Sequence, residues 1–204
     1  MELEYKWKFP AERRPGELLL EPYVAGCFRK GPEIIKMKAA YYDTEDRLLR
    51  FDYKAALRMR SENDETVCCL KIPRGGGGAY REREEYEVKA ADVREGLARL
   101  PGAGAPAELC SKVSGMKLEI ICGTEFTRRL YSLEISNKAG RCTAEMAFDS
   151  GKALKGSLSA EINELELEFL EGSTEAFHLW AEELAARFGL EKQELSKYAQ
   201  AASL

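Results

Sequence analysis

The run from Glu164 to Phe169 puts a carboxylate on every second residue, with Leu165, Leu167 and Phe169 between them. A period of two fits an extended strand, whose successive side chains point to opposite faces, and fits no helix. One face of this strand therefore carries Glu164, Glu166 and Glu168 in a row. Three like charges repel unless cations compensate them, and Arg58 and Arg60 form the matching positive stripe in the sequence. The same alternation opens the chain, where Glu2, Glu4 and Lys6 interleave with Leu3, Tyr5 and Trp7. It returns at Arg58 and Arg60 against Leu57 and Met59, and at Cys69 with Lys71. Arg81, Arg83, Glu85, Glu87 and Lys89 share a further face, and Glu145 and Asp149 lie opposite Met146 and Phe148.

Strands are expected at residues 2–9, 34–44, 54–61, 66–73, 80–90, 117–123, 125–135, 142–151 and 160–172, with Asp43-Thr44 opening a turn or cap. Residues 61–65 read as the turn of a hairpin, and the glycines at 75–78 as a loop tip without a phosphate role, since no Lys-Ser/Thr follows them. Asp92 is positioned to cap a short helix with Val93, Leu97 and Leu100 at helical spacing, ended by Pro101-Gly102, and a second short helix follows Pro106. Ser173 or Thr174 opens an amphipathic helix closed by Gly189, with Phe177, Trp180, Leu184 and Phe188 along one side. No linker or repeat divides the chain. The expectation is one domain over residues 1–204, predominantly antiparallel β within the α+β class, of about eight strands with a few flanking helices.

Composition excludes several functions. A net charge of -4 speaks against an extended nucleic-acid surface, although an acidic protein can hold a local basic pocket. The sequence has neither an apolar run of about 18 residues nor an apolar leader, so neither a membrane helix nor a signal peptide is expected, and a cytoplasmic location follows. Cys27, Cys68, Cys69, Cys110, Cys122 and Cys142 form no CxxC pair and read as reduced thiols. His178 is the single histidine, which rules out a multi-histidine metal site and leaves oxygen donors suited to magnesium, manganese or calcium. It reads as a packing or surface residue of the last long helix, and Trp180 as helix core.

The charged strand faces admit two readings. An antiparallel sheet commonly exposes one polar face to water. Alternatively the strands close into a barrel with charge inside and apolar faces outside under the helices, an arrangement that unpaired charge forbids unless ions and a polyanionic guest fill it. Carboxylates would then hold a divalent metal, while arginine and lysine would grip phosphate oxygens.

In order along the chain, the residues resemble the motifs of the CYTH family, the triphosphate tunnel metalloenzymes named for class IV adenylate cyclases and thiamine triphosphatases. The resemblance rests on Glu2-Leu3-Glu4-Tyr5-Lys6, Tyr41-Tyr42-Asp43-Thr44, Leu57-Arg58-Met59-Arg60, Lys71, and Arg83-Glu84-Glu85-Tyr86-Glu87. It continues through Asp149-Ser150-Gly151, the glutamate strand at 163–169, and Ser196-Lys197-Tyr198. The set spans nearly the whole chain. It implies a closed tunnel of eight antiparallel strands that binds a triphosphate with Mg2+ or Mn2+. By that resemblance Glu2, Glu4 and Lys6 are catalytic. Lys6, Arg58, Arg60, Lys71, Arg83, Arg129 and Lys197 would bind phosphate, and Glu2, Glu4, Asp149, Glu164, Glu166 and Glu168 would bind metal. The family's Lys-x-Arg strand is represented by Thr127-Arg128-Arg129, with Arg129 in the arginine place and Thr127 in that of the lysine.

The expected activity is metal-dependent hydrolysis of the terminal phosphoanhydride of inorganic triphosphate or a nucleoside triphosphate. Alternatives are cyclisation of ATP on the same site, or binding of polyphosphate or nucleotide without turnover. No aromatic cluster is visible in sequence beside the basic strands, which favours inorganic triphosphate over nucleotides. The partner is a small triphosphate, with neither nucleic acid nor membrane expected, and monomer and homodimer are both compatible with the sequence.

Overall fold

In the computed structural model, residues 3–10, 13–63, 65–73 and 83–204 are described, with the side chains of Pro73 and Arg83 left aside. Glu2, Arg81 and the glycine run at 75–78 lie outside the described residues.

Strand β1 is Glu4–Lys8, and two short helices follow, α1 (Pro15–Leu20) and α2 (Pro22–Ala25). Next come β2 (Phe28–Thr44), α3 (Leu48–Phe51), β3 (Ala56–Glu62), β4 (Glu65–Pro73) and β5 (Arg83–Lys89). Helix α4 (Val93–Arg99), a 3-10 turn at Leu100–Ala103 and α5 (Ala107–Ser114) lead to β6 (Leu118–Asn137), β7 (Gly140–Lys155) and β8 (Leu158–Gly172). The chain continues with α6 (Thr174–Phe188), the two-residue β9 (Glu191–Lys192) and α7 (Lys197–Ala202). Among the described residues the strands form one sheet in the order β5-β4-β3-β2-β6-β7-β8-β1-β9. β1 pairs antiparallel with β8, and β2, β3, β4 and β5 pair antiparallel in succession. This is the antiparallel β-rich architecture expected from the alternating pattern.

Three local departures have physical causes. The strands expected at 117–123 and 125–135 are one 20-residue strand, β6. Gly123 does not break it. A Cβ there would lie 2.8 Å from the Ala39 carbonyl oxygen, so the glycine allows two backbones to approach closely. β2 begins at Phe28 rather than residue 34, through an exposed stretch without apolar alternation. α1, α2, α3 and α7 have four to six residues each, too short to show a helical period.

The chain divides into two compact units. The first comprises Met1–Ile35, Phe126–Gly151 and Glu161–Ser196. Its core joins the apolar faces of β1, β6, β7 and β8 (Trp7, Leu133, Phe148, Leu165, Leu167) to Phe177, Trp180 and Leu184 of α6. The side chain of Ser173 accepts a bond from Ala176 N–H at 3.1 Å to start α6, and Gly189 ends it at φ 60°. The second unit comprises Lys36–Glu125, Lys152–Ala160 and Lys197–Leu204. Its core joins Leu57, Met59, Cys68 and Leu70 of β3 and β4 to Leu97, Leu100, Leu109 and Val113. Asp92 caps α4 as expected, accepting from the N–H groups of Arg94 and Glu95. Helix α4 lies so close to the sheet that a Cβ at Gly96 would meet the Cys68 sulfur at 2.3 Å.

Asp43 shows how the second unit fixes its turn. Its carboxylate is buried and accepts N–H bonds from Thr44 (2.8 Å), Leu49 (3.0 Å) and Arg50 (3.1 Å), which holds the first turn of α3 against the end of β2. Removing it orphans these donors. Asp43→Ala is therefore expected to lower the unfolding free energy by about 2 kcal/mol, read as a lower urea midpoint. A loss below about 0.5 kcal/mol would show that water replaces the carboxylate at no cost.

Candidate functional site

The glutamate strand finds its cations by register. β1 pairs with β8 so that Lys6 lies opposite Glu166 and Glu4 opposite Glu168. The Glu-x-Lys alternation of one strand thus meets the Glu-x-Glu-x-Glu alternation of the other, face to face. Lys6 Nζ is 2.8 Å from Glu166 Oε1, 3.8 Å from Glu4 and 3.9 Å from Glu164. Two carboxylates directly opposed across a strand pair weaken a sheet. Glu4 and Glu168 stand so opposed, with Lys6 Nζ near Glu4.

The second cation of this face comes from β6. Arg128 Nε donates to Asp149 Oδ1 at 2.8 Å and Nη2 donates to Oδ2 at 2.7 Å, a two-pronged bond, and Nη2 also bonds Glu166. The side chains of Asp149 and Glu164 are fully buried. Burial disfavours the charge on Arg128, but Asp149 and then Glu166 outweigh it, and its pKa is raised. Asp149, Glu164 and Glu166 each bring a carboxylate oxygen within 4.8 Å of the others. Three converging hard oxygen donors fit a cation such as magnesium or manganese.

Of the first unit's expected residues, Lys6, Glu4, Asp149, Glu164, Glu166 and Glu168 thus share a face across β1, β7 and β8. Arg129 does not join them. It is exposed and, one residue along an extended strand from Arg128, points the other way. By the same parity Phe126, not Thr127, shares the Arg128 face, and the guanidinium lies 5.9 Å from the Phe126 ring centre. The alternation within "FTRRLY" contained this information, but two adjacent arginines left the choice of face open. His178 packs as expected, its Nδ1 2.7 Å from the Tyr5 hydroxyl on the opposite side of β1.

The second unit gathers the other expected cations. Register places Tyr41, Arg58, Cys69 and Glu87 in one row across β2, β3, β4 and β5, with Lys71 opposite Glu85 in a neighbouring row. Lys71 Nζ is 2.6 Å from Glu85 Oε2, and the Cys69 thiol donates to Glu85 Oε1 at 3.0 Å. Arg58 Nη2 lies 3.4 Å from Glu85 and 3.5 Å from Glu87, and Arg60 Nη2 lies 3.3 Å from Glu87. Glu85 and Glu87 are therefore the counter-charges of the arginine stripe, a role that the face shared by Arg83, Glu85 and Glu87 foreshadowed. The Nε of Arg58 is buried and makes no hydrogen bond among the described residues. Such an atom is costly unless an acceptor reaches it, and phosphate oxygens are acceptors of the right charge.

Cys69, Glu85 and Glu87 also bring ligand atoms within 4.8 Å of one another. That set fits a hard cation poorly, since burial pushes the Cys69 thiol up and Arg58, Arg60 and Lys71 already crowd the carboxylates. Lys197 opens α7, which is tied to β7 by Lys155 Nζ donating to the Ala202 carbonyl at 2.9 Å. The next residue, Tyr198, packs on Tyr41 with ring centres 4.9 Å apart. An aromatic pair does therefore stand beside the basic row. The sequence concealed it because its two members are more than 150 positions apart.

Glu85 carries the clearest pH signature. Burial pushes its pKa up, but the Lys71 ammonium, the Cys69 thiol and Arg58 outweigh burial and hold it at about 2, below the ordinary 4.5. A depressed carboxylate contributes stability that is full above pH 4.5 and lost as pH falls toward 2. Lys71→Met removes the strongest attraction, so the Glu85 carboxyl is expected to titrate at higher pH. The acid loss of stability then begins earlier. Carboxyl carbon NMR across the acid range checks this, and an unchanged Glu85 titration would contradict it.

Comparisons with known proteins bear on the family and the fold. A family model described as the CYTH domain matches residues 1–202. A curated inorganic triphosphatase of Haemophilus influenzae is 29% identical over 136 residues, which is 66% of this chain and 36% of that relative's length. Among solved structures, HpAC1 from Hippeastrum, described as a candidate adenylyl cyclase with a dominant triphosphatase activity, matches with a TM-score of 0.62 at 20% identity, covering 100% of this chain and 96% of its own. A candidate adenylate cyclase from Vibrio parahaemolyticus matches at 0.52 and 16% identity, covering 100% and 98%. At these identities the structural likeness is one of fold. No helix among the described residues is long and apolar enough to cross a membrane. With its motifs, its sheet and a family match from end to end in agreement, the chain belongs to the CYTH domain family.

Proposed function

We propose that the protein hydrolyses the terminal phosphoanhydride of a triphosphate, inorganic triphosphate or a nucleoside triphosphate, in the presence of Mg2+ or Mn2+. The observation that carries this reading is the meeting of the partly buried Lys6, Arg128 and Glu166 with the buried Asp149 and Glu164 on one face. Such a concentration of both charges is costly as structure alone. It suits a reaction that is largely positioning and electrostatics. The names of the Haemophilus and Hippeastrum proteins support the same chemistry. A single functional domain over residues 1–204, a sheet closed into a charged tunnel and a cytoplasmic location belong to the same reading.

In this reading Glu4, Asp149, Glu164, Glu166 and Glu168 hold the metal, with Glu2 completing the first-strand pair. When bound, the metal neutralises phosphate charge and makes water a better nucleophile. Lys6 donates to phosphate oxygens from within the carboxylate cluster. We assign Arg128 the place that the family resemblance implies for Arg129. Arg58 offers its buried Nε and Nη groups as a planar fork. Arg60, Lys71, Arg83 and Lys197 supply further positive charge, and Glu85 holds Lys71 and the Cys69 thiol in place until an anion arrives. Glu4 is the residue we assign to orient the attacking water.

Purified protein is expected to release phosphate from at least one member of a panel of inorganic triphosphate, ATP and GTP, with Mg2+ or Mn2+ and not with a chelator. Arg58→Ala and Glu4→Gln are each expected to lower kcat/KM by about a hundredfold or more while the protein stays folded by circular dichroism. Cyclic AMP from ATP in place of phosphate would assign cyclisation instead. Tight triphosphate binding without turnover under either metal would assign a sensor.

A further inference from the structure

Of the three carboxylates that fit a divalent cation, Asp149 and Glu166 are already bonded by cations from within the chain. Arg128 takes both oxygens of Asp149 and one oxygen of Glu166, while Lys6 takes the other oxygen of Glu166. A guanidinium forked onto Asp149 engages one lone pair on each of its oxygens and brings a positive charge close to where a cation would bind, so the two compete for these carboxylates. Arg128 is a poor permanent neighbour for a cation and a good ligand for phosphate, since its planar fork matches either anion. Its guanidinium carbon stands 5.9 Å from the centre of the Phe126 ring, a neighbour that does not compete with an anion for its N–H groups.

From this we infer that Arg128 is an exchangeable counter-ion, held on Asp149 and Glu166 in the metal-free protein and handed to the polyphosphate when a divalent cation takes the carboxylates. The inference rests on the hydrolase reading for the identity of the anion, but not for the exchange itself. Metal and polyphosphate are then coupled through one side chain. The metal releases the arginine, and the anion, by capturing the arginine, favours the metal. By thermodynamic linkage each ligand raises the affinity of the other by the same factor. A polyphosphate entering without metal meets an arginine that is already spent on carboxylates, so the site discriminates the metal complex from the free anion.

Two titrations of the intact protein test this. In the first, Mn2+ alone is titrated and read by water-proton relaxation, with no anion and no turnover. Arg128→Met removes the competitor, so Mn2+ is expected to bind about tenfold tighter than to the parent protein. Arg29→Met, which removes the surface pair of Arg29 with Glu134 and its bond to the Phe28 carbonyl, is expected to leave the affinity unchanged. Equal or weaker Mn2+ binding to Arg128→Met overturns the exchange. Should that variant fail to fold by circular dichroism, Arg128→Lys carries the test. A single ammonium cannot fork both Asp149 oxygens, and Mn2+ is expected to bind a few-fold tighter there.

In the second titration the imido-bridged analogue of inorganic triphosphate is bound with and without saturating Mn2+. Arg128→Met is expected to weaken the analogue about tenfold with Mn2+ and much less without it. An equal loss in both conditions makes Arg128 a standing phosphate ligand and overturns the proposal. Because the first readout needs no substrate, absent phosphate release would sink the hydrolase reading while leaving the exchange to stand or fall on Mn2+ alone.

Discussion

The structure of the first unit turns on charge compensation across one strand pair. β8 places Glu164 and Glu166 on a face that is buried or nearly so, and such a face is stable only while cations meet it. Lys6, brought opposite Glu166 by register, and Arg128, forked onto Asp149, are those cations. A one-residue slip of β1 would turn Lys6 into the apolar layer and leave the glutamates to repel one another. Register, core packing on the far face and the charged site are therefore one decision. Trp7, Leu165 and Leu167 sit under α6 because Lys6 and Glu166 sit opposite each other, and the reverse is equally true.

The second unit solves the same problem with the signs reversed. There the stripe is positive, made by Arg58, Arg60 and Lys71, and Glu85 and Glu87 from β5 supply the compensation. The compensation is incomplete at Arg58, whose buried Nε makes no hydrogen bond among the described residues. A cluster evolved for stability alone would place an acceptor there or replace the arginine by an apolar residue. Each cluster, one mainly acidic and one mainly basic, is packed on its own apolar core.

The legibility of these features in the sequence was uneven for physical reasons. Alternation is local and periodic, so the strands that carry Lys6, Arg58, Lys71 and Glu166 could be read directly, as could the caps at Asp92 and Ser173. The break placed between residues 123 and 125 was misleading, because glycine serves both turns and close approaches and only the position of Ala39 distinguishes them. Resemblance to a Lys-x-Arg strand points to Arg129 rather than Arg128, because two adjacent arginines let the motif fall on either parity. The short helices carried too few residues to show a period, and the Tyr41–Tyr198 pair depends on a contact between distant segments.

By itself the sequence determined which side chains share a strand face, since that follows from the two-residue repeat of extended backbone and requires no knowledge of neighbours. It determined also that any metal must be held mainly by oxygen, there being a single histidine. Only the tertiary structure decided which faces meet, because pairing register and helix packing are set by contacts far apart along the chain. That decision assigned Arg128 to Asp149, Lys6 to Glu166 and Glu85 to Lys71, and with them the charge balance on which the chemistry of the protein rests.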